Sequence, residues 1–323
     1  MERKRLCLVL EGGGVKCSYQ AGVLTVLEEF GYKYDAIGGT SFGALNGALY
    51  LAGGIKRLNE FWDNCSAEAI FGDERINYLM DDFYYKRDVM NSNNCKAVLS
   101  SLSDVKFYSK LSDKFHEYVI KNVNEEEVRN SNKDFGLVTI AIPKLSRRLL
   151  EVGLSVLNPL EAFYKLVQFN KSDNKLLDGF DGKPLELVNE EIPNGHLAEF
   201  VAASAAISAF KPIEIEGTFY TDGGVYDNQP VNMMARRGYD SYLLIRTNNY
   251  DITGHYSLKL DCKVITPVDS LGSCALFSMD NIKNLRELGM TDAIKFLDKE
   301  MDNLFIYRLK RDEVIKKLNI KNV

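Results

Sequence analysis

The sequence predicts an α/β fold, a doubly wound and mostly parallel sheet flanked by helices in three layers. Three observations predict it. First, a short unbroken apolar run, Leu6-Cys7-Leu8-Val9-Leu10, leads straight into glycines, the pattern of a strand buried on both faces within a parallel sheet. Second, Tyr19, Val23, Leu27 and Phe30 recur at helical spacing, and Gly31 follows where a helix C-cap belongs. Third, a strand around Tyr34 to Ile37 ends in Gly38-Gly39-Thr40-Ser41-Phe42-Gly43, and a helix of small residues follows through Ala44, Leu45, Gly47, Ala48 and Leu49. Strand, helix, strand, helix is how an open α/β sheet begins.

Further strands are expected at Gly136 to Ile142, Thr218 to Thr221 and Ser241 to Arg246. Pro230 to Arg237, closed by Gly238, reads as the helix joining the last two. The stretch from about 67 to 132 is richer in Asn, Asp and aromatics, with an amphipathic segment near Phe115, Tyr118 and Val119. It reads as a helical, lid-like insertion or flanking layer. The tail is helical over 279–323, a solvated face carrying a core stripe of Ile294, Phe296, Leu297 and Leu304. No internal repeat interrupts the chain, so residues 1–323 are expected to form a single domain.

Composition narrows the function. Apolar residues make up 46% of 323 positions, enough for a substantial core without metal or disulfide staples. The net charge is −5, with Lys and Arg scattered, so no nucleic-acid footprint stands out. The six cysteines, Cys7, Cys17, Cys65, Cys95, Cys262 and Cys274, form no Cys-x-x-Cys pair and lie near no histidine that would complete a zinc pattern. No metal or cofactor is expected. The run Leu6 to Leu10 is too short for a signal-peptide core, and Phe200 to Phe210 is too short to span a bilayer. A cytoplasmic location with at most peripheral contact with a membrane or micelle is expected, leaderless export remaining an alternative and the oligomeric state open.

Chemistry concentrates in three segments. Gly39-Thr40-Ser41-Phe42-Gly43 is a Gly-x-Ser-x-Gly pentapeptide between a predicted strand and a predicted helix, the context of a nucleophile elbow. Glu11-Gly12-Gly13-Gly14-Val15-Lys16 follows the first strand and opens the first helix. Its unhindered amides suit a phosphate or the oxyanion of a tetrahedral intermediate. A dinucleotide fingerprint would want glycine where Cys17 stands, and a P-loop would want Ser or Thr after Lys16, so Gly13, Gly14 and Val15 read better as oxyanion donors beside Ser41.

Ser41 also needs a base. His116 falls on an amphipathic helix and His196 in a turn, which leaves His255 as the base of an α/β-hydrolase order. Against it, Thr221-Asp222-Gly223-Gly224 puts a carboxylate at the end of a predicted strand, where a partly dry site would raise its pKa into the range of a base. Asp227 is a rival acid, but Tyr226-Asp227-Asn228-Gln229-Pro230 reads as a turn and helix cap.

With these blocks in order, the chain resembles the patatin-like phospholipase family. Gly12-Gly13-Gly14-Val15-Lys16, Gly39-Thr40-Ser41-Phe42-Gly43 and Asp222-Gly223-Gly224-Val225-Tyr226-Asp227-Asn228 match its three signature segments. Weaker similarity runs through Glu125 to Ile142, Ala202 to Lys211 and Asn284 to Ala293. The resemblance implies a patatin-like three-layer fold and hydrolysis of acyl esters in phospholipids or related lipids, without cofactor. By residue match it implies Ser41 as nucleophile, Asp222 as base and Gly12, Gly13, Gly14 and Val15 as the oxyanion loop. Lys16, Gly39, Gly43, Gly223 and Gly224 support the motifs. Two departures stand out: Cys17 where the family usually has glycine, and Ser208 where a proline is common. A thiol near a helix N-terminus raises the idea of redox control, set against a small residue filling a packed site. The competing readings are the His255 esterase and a non-catalytic lipid- or phosphate-binding module.

Overall fold

The computed structural model describes residues 5–72, 105–142, 183–206, 210–224, 226–249, 260–301, 305–321 and 323. Its centre is an eight-stranded sheet of order β5-β6-β3-β2-β1-β7-β8, with β4 also paired to β3. The strands are β1 (Leu6–Leu10), β2 (Ala36–Thr40), β3 (Asp134–Ile142), β4 (Lys183–Val188), β5 (Ile213–Ile215), β6 (Thr218–Asp222), β7 (Ser241–Ile245) and β8 (Cys262–Ile265). β1 pairs in parallel with both β2 and β7, β2 with β3, and β7 with β8. β4 and β6 run antiparallel to β3, and β5 antiparallel to β6. The sheet is mostly parallel, as expected, with its antiparallel strands gathered beyond β3.

The expected second strand shifts along the chain. Gly38 and Gly39 belong to β2 itself, where every residue is buried. Their ladder partners on β1 and β3 hold them extended, which local glycine propensity alone does not favour. The short β4, β5 and β8 are not among the expected strands, since none carries a long apolar alternation.

Side chains of β1 alternate between faces, as a strand requires. Leu8 and Leu10 enter the larger core cluster, and Cys7 and Val9 the smaller one on the opposite face. The larger face is covered by α1 (Ser18–Glu29), α2 (Phe42–Asp63), α6 (Leu197–Ser204) and α8 (Met279–Met301). The smaller face carries α7 (Val231–Ala235), whose Val231, Met233 and Met234 are buried. α2 breaks at Gly53 and Gly54, which leave helical geometry. α1 and α8 approach so closely that a Cβ on Gly22 or Gly289 would lie 2.0 or 2.1 Å from a backbone oxygen of the other helix.

Of the expected helical stretch over 67–132, α3 (Ala67–Phe71), α4 (Val105–Asn122) and α5 (Glu125–Asn130) lie within the described residues, and 73–104 lies outside them. Phe115 and Val119 of α4 are fully buried. Phe115 joins Phe42, Phe71 and Phe210 in an aromatic cluster with centroid separations of 4.7 to 6.2 Å, a geometry that adds to plain area burial. The tail forms α8 and α9 (Phe305–Leu318); Ile294 and Leu297 are buried in the core and Phe296 packs against it, while Leu304 lies outside the described residues. Among the described residues no helix is long and apolar enough to cross a membrane.

A buried polar chain ties α1 and α2 to the sheet. Trp62 Nε1 donates to Asn46 Oδ1 at 2.9 Å, and Asn46 Nδ2 donates to the Cys17 carbonyl and to Gln20 Oε1. Gln20 Nε2 in turn donates to the carbonyls of Glu11 and Ile245. Asn46 is fully buried, so its removal strands several partners at once. Asn46→Ala is expected to lower stability by roughly 2–4 kcal/mol, read as a drop in the urea midpoint without a change in slope.

Candidate active site

The site forms where parallel strands end. β1 delivers the glycine loop, β2 delivers Ser41, β7 delivers Thr247, and β6 brings in Asp222 from the antiparallel side. Ser41 has φ 56° and ψ −134°, a left-handed conformation that is costly for a residue with a side chain and marks a site held under strain. The turn tolerates it because its flanks are bare. A Cβ on Gly39 would lie 2.5 Å from the backbone of Gly43, and one on Gly43 would lie 2.3 Å from the Leu10 carbonyl. The Ser41 amide donates to Ser204 Oγ at 3.0 Å, and Ser204 Oγ donates to the Val138 carbonyl at 2.7 Å. Ser204, from an Ala-rich helix whose end falls in the weakly similar stretch Ala202 to Lys211 but which carried no site residue in the sequence reading, therefore braces the turn. Ser41 itself is 4% exposed and stands at the N-terminus of α2, where the helix dipole favours negative charge.

Asp222 ends β6 and is 8% exposed. Its Oδ1 accepts from the Gly224 amide at 2.6 Å, while Oδ2 is buried without a hydrogen-bond partner among the described residues. Burial raises its pKa from the ordinary 3.8 to about 6, and the Gly224 amide and the Ser41 hydroxyl pull in the opposite direction. The Ser41 hydroxyl thus sits within electrostatic reach of the carboxylate without closing a hydrogen bond of ordinary geometry to Oδ2. Gly223 and Gly224 form the turn after the strand, the Gly223 carbonyl accepting from the amides of Tyr226 and Asp227. Asp227, the rival acid, is spent on that turn: its Oδ1 accepts from the Gln229 amide at 2.9 Å.

The glycine loop reaches Ser41. A Cβ on Gly12 would stand 3.0 Å from the Ser41 Cβ. Its four expected oxyanion amides are not equivalent. The Gly12 amide donates to the Asn228 carbonyl at 3.3 Å, and the Val15 amide to the Cys274 carbonyl at 2.9 Å. The amides of Gly13 and Gly14 make no hydrogen bond among the described residues. Gly14 holds φ 58°, and a Cβ there would lie 2.2 Å from the Cys274 oxygen. Lys16 Nζ donates to Asn248 Oδ1 at 2.7 Å, tying the start of the first helix to the loop after β7.

Glu11, which opens the glycine segment and to which the sequence assigns no role of its own, is fully buried. Its Oε1 accepts from Gln229 Nε2 at 2.9 Å and Asn248 Nδ2 at 3.1 Å, and its Oε2 from the Thr247 amide at 2.6 Å and the Asn248 amide at 3.3 Å. The signal that could have found it is an acidic residue closing an otherwise apolar strand.

Two histidines have other surroundings. His116 is partly buried on α4 against the Phe115 ring, and burial lowers its pKa to about 4. His196 pairs with Glu199 and lies 3.6 Å from Glu216. His255 and Ser208 lie outside the described residues. Cys17 is wholly buried, and burial pushes its thiol well above the ordinary range. That environment disfavours the thiolate and matches a packed small residue rather than a reactive one.

Comparison with known proteins adds relatives to this geometry. A 52-residue segment is 56% identical to the lysophospholipase nte1 of Aspergillus terreus and 50% identical to the lysophospholipase NTE1 of Cryptococcus neoformans. In both cases it amounts to 15% of this chain and 3% of the relative's length. VipD from Legionella pneumophila superposes with a TM-score of 0.43 at 12% identity, over 92% of this chain and 67% of that one. The type III effector ExoU of Pseudomonas aeruginosa superposes with a TM-score of 0.39 at 17% identity, over 92% and 53%. The model of the patatin-like phospholipase family matches residues 8–235, well over half of the chain, and with its glycine loop, serine turn and aspartate strand end the chain belongs to that family.

Proposed function

We propose that the chain is a serine lipid acyl hydrolase, acting on an ester of the phospholipid or lysophospholipid class. In this mechanism Asp222 takes the proton of the Ser41 hydroxyl as its oxygen attacks the ester carbonyl. The resulting oxyanion is met by the Gly13 and Gly14 amides, the two members of the loop not already bonded to carbonyls. Collapse expels the alcohol, which receives the proton from Asp222 and leaves an acyl-enzyme. Water, deprotonated by Asp222, then attacks the acyl-enzyme, and Asp222 returns that proton to the departing Ser41 oxygen, which releases the fatty acid and restores both groups. Gly12 and Val15, whose amides are occupied, shape the loop.

The observation that carries the reading is the pairing of a strained Ser41 with a buried carboxylate whose pKa rises to about 6 and whose Oδ2 has no partner among the described residues. An unsatisfied buried carboxylate oxygen costs stability and persists where function uses it. A pKa of about 6 leaves Asp222 ionised at neutral pH yet basic enough to share a proton.

Purified protein is expected to hydrolyse a lysophospholipid or a short activated ester, and a fluorophosphonate is expected to label Ser41. Ser41→Ala and Asp222→Ala should each lower kcat at least a thousandfold or so; wild-type turnover in either variant would end the mechanism. Because the base form is lost on protonation, kcat/KM should fall below about pH 6.

The same shift has a consequence for stability. The folded-state pKa lies above that of the unfolded chain, so burial of the charged form penalises folding above about pH 6, and the penalty fades as pH falls towards 3.8. Asp222→Asn should therefore be inactive yet more stable than wild type at pH 8, by at most about 3 kcal/mol, with the gain gone below pH 4 or so. A urea midpoint for Asp222→Asn at pH 8 below that of wild type would contradict this account.

A further inference from the structure

Behind the glycine loop lies a polar cluster that the mechanism above does not use. The Gly12 carbonyl accepts from Thr247 Oγ1 at 2.7 Å and from Asn228 Nδ2 at 3.2 Å. A trans peptide directs its C=O and N–H to opposite sides. Two donors on the Gly12 oxygen therefore fix where the Gly13 N–H points, and it points away from Thr247 and Asn228. Thr247 has a single hydroxyl proton, and the 2.7 Å bond to Gly12 takes it in preference to the 3.4 Å contact with Glu11 Oε2.

Thr247 is itself held. Its amide donates to Glu11 Oε2 at 2.6 Å, and the same carboxylate gathers Asn248 and Gln229. Glu11 is 0% exposed, and these donors offset its burial, as a buried charge requires. One carboxylate thus joins three segments: the start of the glycine loop, the exit of β7, and the turn after Asp222.

We propose that Thr247, seated by the Glu11 carboxylate, is a positioning residue that sets the Gly13 amide towards the carbonyl attacked by Ser41. The proposal rests on the reading of Ser41 as nucleophile. A misaligned donor weakens the transition state more than the bound ester, so the loss falls on kcat.

The test uses Thr247→Val, which keeps the shape and removes the hydroxyl, with Thr247→Ser as the conservative rescue. Hydrolysis of a soluble ester is measured alongside inhibition by an alkyl trifluoromethyl ketone, whose adduct with a serine carries an oxyanion. Thr247→Val is expected to lower kcat roughly tenfold with KM nearly unchanged, and to weaken the ketone by the same factor. Thr247→Ser is expected to return both to within about twofold, and the acid limb set by Asp222 stays in place. If Thr247→Val does not fold, Asn228→Ala removes the other donor to the Gly12 oxygen and is read in the same way. Unchanged kcat in the folded variant, or a fall in kcat with ketone affinity intact, overturns the proposal. A wild-type protein that neither turns over esters nor is labelled at Ser41 overturns the underlying reading instead, so the two failures are distinct.

Discussion

Parallel pairing of β1 with β2 on one side and β7 on the other is the constraint from which the site follows. Side-by-side strands of the same polarity end at the same edge, so whatever follows each of them is brought together there. The register sets Leu10 beside Gly39 and beside Ile245. The glycine loop, the Ser41 turn and Thr247 therefore emerge as neighbours although they are far apart along the chain. Asp222 arrives by a different route, through an antiparallel strand whose last residue sits opposite Thr139 of β3. A ligand crevice beyond the carboxyl ends of the strands is the general expectation for an open α/β sheet.

Two buried carboxylates lie close to this edge, and their surroundings differ. Glu11 accepts hydrogen bonds on both oxygens from amides and side chains of two other segments, the exit of β7 and the turn after Asp222, and so ties them to the glycine loop. Asp222 has one oxygen satisfied and one without a partner among the described residues, and burial drives its pKa upward. In the proposed mechanism the saturated one is architecture and the unsatisfied one is the base.

Packing supports both. The strained serine stands only because the elbow is enclosed: bare glycines let β1 and α2 close on it, and Ser204 holds its amide. The aromatic cluster of Phe42, Phe71, Phe115 and Phe210 fills the space beside the first residue of α2. Strain at one residue is affordable where a large rigid core over-determines its position.

The part of this fold legible from residues in order is the part that short-range physics encodes. Apolar runs ending in glycine, helical spacing up to Gly31, and the order of the three motif segments placed β1, α1, Ser41 and Asp222 and pointed to the fold and family. The expected β2 fell short because its glycines are extended only through their neighbours, and β4, β5 and β8 exist only by pairing. Only folding settles which loop amides stay unbonded among the described residues, that Ser204 accepts from the Ser41 amide and Thr247 donates to the Gly12 carbonyl, and that Asp222 is buried. Each of these depends on how much water and which partners a group keeps after distant segments meet, and no local pattern of residues carries that information.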